Sequence, residues 1–192
     1  MRKIIAIAIS DLHLTLTRPA CRTDKDWMAI QADYLKQVKD IAKGRPILAA
    51  GDIFDKWKAE PELINFALEH LPQGMICVPG QHDLPNHRMD LMHRSGYGVL
   101  VQAGKIIDIS GGEPYKTKEF VVIGFGWNED IPPLKKRINN TPHIALIHKY
   151  IYLNKETSFP GAPEENHYSN LEKILRTYDS VVIGDNHIHW AV

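Results

Sequence analysis

With 192 residues, 44% of them hydrophobic and 24% charged, the chain is long enough to bury one sizeable core and falls within the span of a single domain. Lys plus Arg number 23 and Asp plus Glu 23, which excludes the strongly basic balance of a protein that holds nucleic acid by charge alone. The two cysteines, Cys21 and Cys77, have no CxxC spacing, so neither a disulfide framework nor a closed thiolate zinc site is expected.

The apolar stretch Ile4 to Ile9 is too short to span a membrane and no small-residue cleavage site follows it, so a cytoplasmic protein without a membrane segment is expected. Lys3 to Ser10 reads as a first buried strand. Asp24 to Lys43 follows as a helix, with Trp27, Ile30, Tyr34, Leu35, Val38 and Ile41 close to helical spacing and Gly44 as its C-cap. Arg45 to Ala50 is a second strand, Pro61 to Leu71 a helix with proline in its first turn, and Met75 to Val78 a third strand. Lys105 to Ile109, Phe120 to Gly124, His143 to His148 and Ser180 to Ile183 are further strands, with a helix over Asn170 to Thr177. The alternation predicts one α/β layered domain over residues 1–192. The stretches around Pro132 and Pro160 read as long surface loops.

Polar residues able to hold a metal fall just past the predicted strand ends, where open α/β sheets place their ligand sites. The first strand runs into Asp11-Leu12-His13, the second into Gly51-Asp52-Ile53-Phe54-Asp55, and the third into Gly80-Gln81-His82-Asp83; later strands deliver His148 and the pair His187, His189. In an extended segment residues two apart project to the same side, so Asp11 with His13, and His187 with His189, could each reach one small volume. Asp52 has two oxygens with which to bridge two cations, and imidazoles with an amide oxygen complete shells suited to manganese, iron or zinc. Two such cations, roughly 3.5–4 Å apart, would polarise a phosphoryl oxygen and generate hydroxide in line with the leaving oxygen. Taken singly each block has an ordinary explanation: Asp11 as a cap, Gly51-Asp52 as a tight turn, His148 as a satisfied buried histidine. Their joint placement at strand ends is what those explanations do not supply. His70, His93, His143 and His167 lack that context, Lys135-Lys136-Arg137 reads as an exposed basic turn, and Trp27, Trp57 and Trp127 read as packing residues.

The ordered blocks Asp-x-His, Gly-Asp-x-x-Asp, Gly-Gln-His-Asp, His and Gly…His-x-His resemble those of the calcineurin-like metallophosphoesterases over nearly the whole chain. The resemblance implies a four-layer α/β/β/α sandwich with two divalent metal ions, most naturally manganese. It places Asp11, His13, Asp52 and His189 at one ion, and Asp52, Gln81, His148 and His187 at the other. His82 would face the substrate's leaving group, Asp83 would orient it, and Asp55 would support the shell. Within the family, Asp11 to Trp27, Gly51 to Asp55 and Val78 to Pro85 are most similar to SbcD-type DNA repair nucleases and their phage relatives. That implies DNA as substrate, a homodimer, and an SbcC-type coiled-coil ATPase as partner; a phosphodiesterase or phosphatase acting on small nucleotides is the alternative, and a non-catalytic scaffold a third. Two departures stand out. Gln81 replaces the usual Asn with an amide one methylene further out, and two residues separate Gly184 from His187. The resemblance also implies closing strands and a smaller DNA-recognition domain that this chain does not carry, so the domain is expected to be C-terminally incomplete.

Overall fold

A computed structural model describes residues 3–138, 140–188 and 190–192. Two four-stranded sheets form its centre. The first holds β1 (Ile7–Ile9), β2 (Ile47–Ala50), β3 (Met75–Val78) and β4 (Ile106–Asp108) in that spatial order, all parallel. The second holds β5 (Pro114–Lys116), β6 (Val121–Phe125), β7 (His143–His148) and β8 (Ser180–Gly184), parallel except for the β5–β6 pair.

Side-chain alternation turns these sheets into layers. In β2, Leu48 and Ala50 face the second sheet and pack with Phe120, Val122, Ile144 and Leu146, while Ile47 and Ala49 face the other way. That other face is covered by α1 (Trp27–Ala42), α2 (Pro61–His70) and α3 (Gly96–Gln102), through Leu35, Leu63, Ala67, Tyr97 and Leu100. In β7, Ala145 and Ile147 face outward to meet Leu175 of α4 (Tyr168–Leu175) and Tyr178. Helix, sheet, sheet, helix is therefore the order of the four layers. Strands buried on both faces carry continuous apolar runs, which is why β2, β3, β6 and β7 read clearly in the sequence.

Element boundaries shift for local reasons. The first strand shrinks to Ile7–Ile9 because β2, its one neighbour among the described residues, pairs with it from Ile47 to Ala49. Helix α1 starts at Trp27 because the Asp26 carboxylate accepts from Ala29 N at 3.0 Å, whereas Asp24 is engaged by Arg22 at 2.8 Å. Helix α4 begins two residues earlier than the sequence predicts, capped by the His167 ring. Helix α3 has no counterpart in the sequence reading. Gly96 and Gly98 weaken its local signal, and it forms through a Ser95 cap to Gly98 N and full burial of Tyr97 and Leu100. Among the described residues no helix is long and apolar enough to cross a membrane.

Candidate metal centre

Past β1 and β2 the two chains continue side by side. Asp11 N–H donates to Gly51 O at 3.1 Å, His13 N–H to Asp52 O at 3.0 Å and Leu14 N–H to Ile53 O at 2.9 Å. Asp11, His13 and Asp52 each take a left-handed backbone, with φ of 54°, 44° and 50°. Such conformations cost a non-glycine residue on the order of 1–3 kcal/mol and persist where surrounding bonds over-determine them. Asp11 and His13 thus come together through two tight left-handed bends, not through the strand alternation their spacing suggested.

A buried carboxylate fixes the next loop. Asp83 accepts from Ile53 N at 3.2 Å, Phe54 N at 3.0 Å and Gly80 N at 3.0 Å, stapling the loop after β2 to the loop after β3. The two loops approach so closely that a Cβ on Gly80 would overlap the Asp52 carboxylate. His82 N–H donates to Asp52 Oδ1 at 2.9 Å, and its ring Nδ1 lies 2.7 Å from Asp55 O.

The second sheet supplies the opposite wall. His148, the last residue of β7, is fully buried, with Nδ1 2.6 Å from Ala50 O and Nε2 2.6 Å from Gln81 Oε1 and 3.4 Å from Asp52 Oδ2. After β8 the chain turns at Asp185, whose φ is 83°; its N–H donates to Asp11 Oδ1 at 3.0 Å and its Oδ1 accepts from Gln81 Nε2 at 2.8 Å. His187 reaches back over the first loop, with Nε2 3.3 Å from His13 Nε2 and 3.6 Å from Asp11 Oδ1.

These contacts set the charges. Burial works against the charge on Asp52, yet the His148 imidazole and the His82 N–H outweigh it and hold the carboxyl below its usual range. Burial likewise pulls His148 down, but the Asp52 carboxylate 3.4 Å away, together with Ala50 O, raises it to about 9. His13 is lowered by burial. Asp83 is pushed up to about 7 by burial, against the pull of its three backbone donors.

Asp52 is the centre of the arrangement. On one side stand Asp11, His13 and His187, on the other Gln81 and His148. Ligand atoms of Asp11–His13–His187, of His13–Asp52–His82 and of Asp11–Asp52–His148 lie within 4.8 Å of one another. Among the described residues, buried Asp52 Oδ2 makes no well-formed hydrogen bond, its nearest polar neighbour being His148 Nε2 at 3.4 Å, and it is aimed into the cluster. A divalent cation with nitrogen and oxygen ligands fits this donor set and would satisfy that oxygen.

The sequence expectation put His187 beside Gln81 and His148; it lies instead against Asp11 and His13. The reason is the length of chain after β8: Gly184 ends the strand beside His148, and the turn at Asp185 carries the following residues toward the β1 loop. His189 lies outside the described residues. Asp83 was expected to orient His82, but its oxygens all go to backbone donors, and the partner of the His82 ring is the Asp55 carbonyl. The Asp55 carboxylate lies 3.9 Å from His13 Nδ1. His143 accepts from Ile138 N, His167 caps α4, and Arg137 pairs with Asp179 at 2.6 Å, so these are structural positions. Asp185 has no sequence signal for a role, yet its contacts join the two halves of the cluster. Trp127, which reads as a packing residue, follows the end of β6 with its ring 6.4 Å from that of His148.

A family model described as calcineurin-like phosphoesterase matches residues 6–190. No curated protein matches by sequence. Among solved structures, a protein described as a 5'-nucleotidase from Staphylococcus aureus, in complex with alpha-ketoglutarate, is similar with a TM-score of 0.57 and 11% identity over 97% of this chain. The chain spans 46% of that structure's length. A second solved structure, with a TM-score of 0.51 and 12% identity, is covered over 86% of its length by 97% of this chain.

Proposed function

The chain belongs to the calcineurin-like phosphoesterases, and from that premise we propose that it hydrolyses phosphodiester bonds with two divalent cations, DNA being the substrate. The observation that carries the reading is the clustering of Asp11, His13, Gln81 and His148 about Asp52, with His187 beside Asp11 and His13, and a buried Asp52 Oδ2 that makes no well-formed hydrogen bond among the described residues. Asp11, His13 and His187 would hold one cation, Gln81 and His148 the other, and Asp52 both; manganese suits this nitrogen and oxygen set. Bound there, the cations supply a polarised phosphoryl oxygen and a water of lowered pKa.

The chain's own groups do the rest. The His82 ring, anchored through Nδ1–H to Asp55 O, has its other nitrogen free to face the cluster. As an imidazolium it gives the Nε2 proton to the departing oxygen and keeps the Nδ1 proton on the carbonyl. Asp83 acts at one remove, by keeping the loops of Asp52 and Gln81 in register.

The DNA reading is supported by the blocks Asp11 to Trp27, Gly51 to Asp55 and Val78 to Pro85, which are similar to SbcD-type nucleases. On that reading a second copy of the chain and an SbcC-type ATPase are its partners. A second reading, hydrolysis of small nucleotides, is favoured by the equal counts of basic and acidic residues, which give no net attraction to a polyanion. Manganese-dependent hydrolysis of linear single- and double-stranded DNA, of a nucleoside monophosphate and of bis-p-nitrophenyl phosphate separates them. Cleavage of DNA that disappears in Asp52→Ala and falls by about 10²–10⁴-fold in His82→Ala, with metal still bound in the latter, supports the nuclease. Turnover of the small esters alone supports the second reading, and bound metal with no hydrolysis of any of them overturns both.

A further inference from the structure

Gln81 presents a problem that its neighbours solve. A glutamine amide has an oxygen suited to a cation and an NH2 group that repels one, on an arm with three rotatable bonds. Freezing such an arm costs rotamer entropy. A cation site that relies on it needs something to choose both the rotamer and the face of the amide.

We propose that Asp185 is a positioning residue for the second cation, acting through Gln81. The Asp185 carboxylate lies 2.8 Å from Gln81 Nε2. A carboxylate only accepts, so the NH2 group must face it, and the amide oxygen is thereby turned to His148 Nε2 at 2.6 Å, the edge of the cluster where Asp52 Oδ2 also points. The backbone of the same residue donates to Asp11 Oδ1 at 3.0 Å, so one turn after β8 ties the two halves of the cluster together. Its φ of 83° is what allows one residue to present its N–H to one half and its side chain to the other. Asp185 does not itself complete a close group with Asp52 and His148, which argues for a hydrogen-bonding role over ligation. The inference rests on the two-cation reading given above.

Glycine accepts a φ of 83°, so Asp185→Gly removes the carboxylate without adding strain, while Asp185→Asn keeps an oxygen that can accept from Gln81 and loses the charge. Calorimetric titration of metal-free protein with manganese, with thermal melting as a check on folding, reads the effect apart from turnover. One of two binding steps is expected to weaken by about 10–100-fold in Asp185→Gly and to stay within about 3-fold of wild type in Asp185→Asn. Gln81→Ala should weaken that same step, and Asp185→Gly added to it should cost nothing more. Equal losses in Asp185→Asn and Asp185→Gly, additive losses with Gln81→Ala, or no loss in Asp185→Gly would each overturn this inference alone. Wild-type protein that binds no manganese would overturn the two-cation reading beneath it.

Discussion

Replacing Asp83 with alanine separates a structural role from a chemical one. The carboxylate is wholly buried and accepts from three backbone N–H groups, those of Ile53, Phe54 and Gly80. Alanine leaves all three without a partner in a site with little room for water. At about 1–3 kcal/mol for each unsatisfied buried group, and taking the lower half of that range, the loss is roughly 3–6 kcal/mol. Set against a usual total of about 5–15 kcal/mol, that is a large fraction of the stability. For a chain of this length each kcal/mol moves Tm by about 2–4 °C, so a fall of roughly 6–24 °C is expected. Asp83→Asn should fall between: its oxygen can keep Ile53 and Gly80, but its NH2 then opposes Phe54 N–H. The assay is thermal melting in excess chelator, so that lost metal contributes nothing, followed by hydrolysis measured well below the lowered Tm. An alanine variant that melts within about 2 °C of wild type yet has lost hydrolysis would refute the reasoning and return Asp83 to the chemistry of His82.

Other positions give sharper but narrower outcomes. Gly80→Ala puts a Cβ into the Asp52 carboxylate, and the forced separation of two loops should cost about 1–3 kcal/mol together with metal binding; normal manganese stoichiometry in a folded variant would contradict the geometry. Metal loading should release protons. In the metal-free protein His148 sits at about 9, so at pH 7.5 its Nε2 must lose a proton before it can bind a cation, and titration heats should depend on the ionisation enthalpy of the buffer. The same shift fixes a stability trend. A histidine raised from 6.5 contributes stability that is complete below pH 6.5 and lost as pH rises through about 9, so metal-free protein should soften over that window and metal-loaded protein should not. Cation at about 100 times its Kd should add roughly 2.7 kcal/mol per site, read as a rise in Tm of about 5–10 °C; an unchanged Tm would deny that the cluster binds metal in the folded state alone.

What the sequence disclosed and what it hid divide along physical lines. The doubly covered strands β2, β3, β6 and β7 announce themselves as apolar runs, and the polar residues just past strand ends stand out by position and chemistry together. Helix α3, held by tertiary packing around two glycines, and β5, a three-residue edge strand beginning at Pro114, leave almost no local trace. The pairing of ligands was the harder question. Spacing placed Asp11 and His13 together, but the cause is left-handed backbone, which sequence periodicity does not report. The direction of His187 depends on the turn at Asp185, and the use of Asp83 depends on which groups within 3.2 Å lack a partner; both are long-range facts. Asp185, 104 residues from Gln81, had no sequence context that could reveal the contact.

The two halves of the cluster differ in how much is fixed before a cation arrives. Around Gln81, the His148 ring is fully buried and anchored to Ala50 O, Asp52 is closed in beneath the His82 N–H, and the amide itself is held by Asp185. Around Asp11 the holding is looser. The His187 side chain is 63% exposed and, among the described residues, meets the ligands Asp11 and His13 through side-chain atoms. Preorganised ligands forfeit less entropy on binding, so the Gln81 half should fill first and exchange more slowly. The looser half borders a cleft of about 690 Å³, with Asp11, His13 and His187 along one side and Tyr168, Arg176 and Trp190 along another. A phosphate ester entering there would meet the more exposed cation position first, while the buried half keeps Asp52 fixed beneath it. That asymmetry predicts an order: substrate affinity should follow occupancy of the exposed half, and catalytic competence should require both.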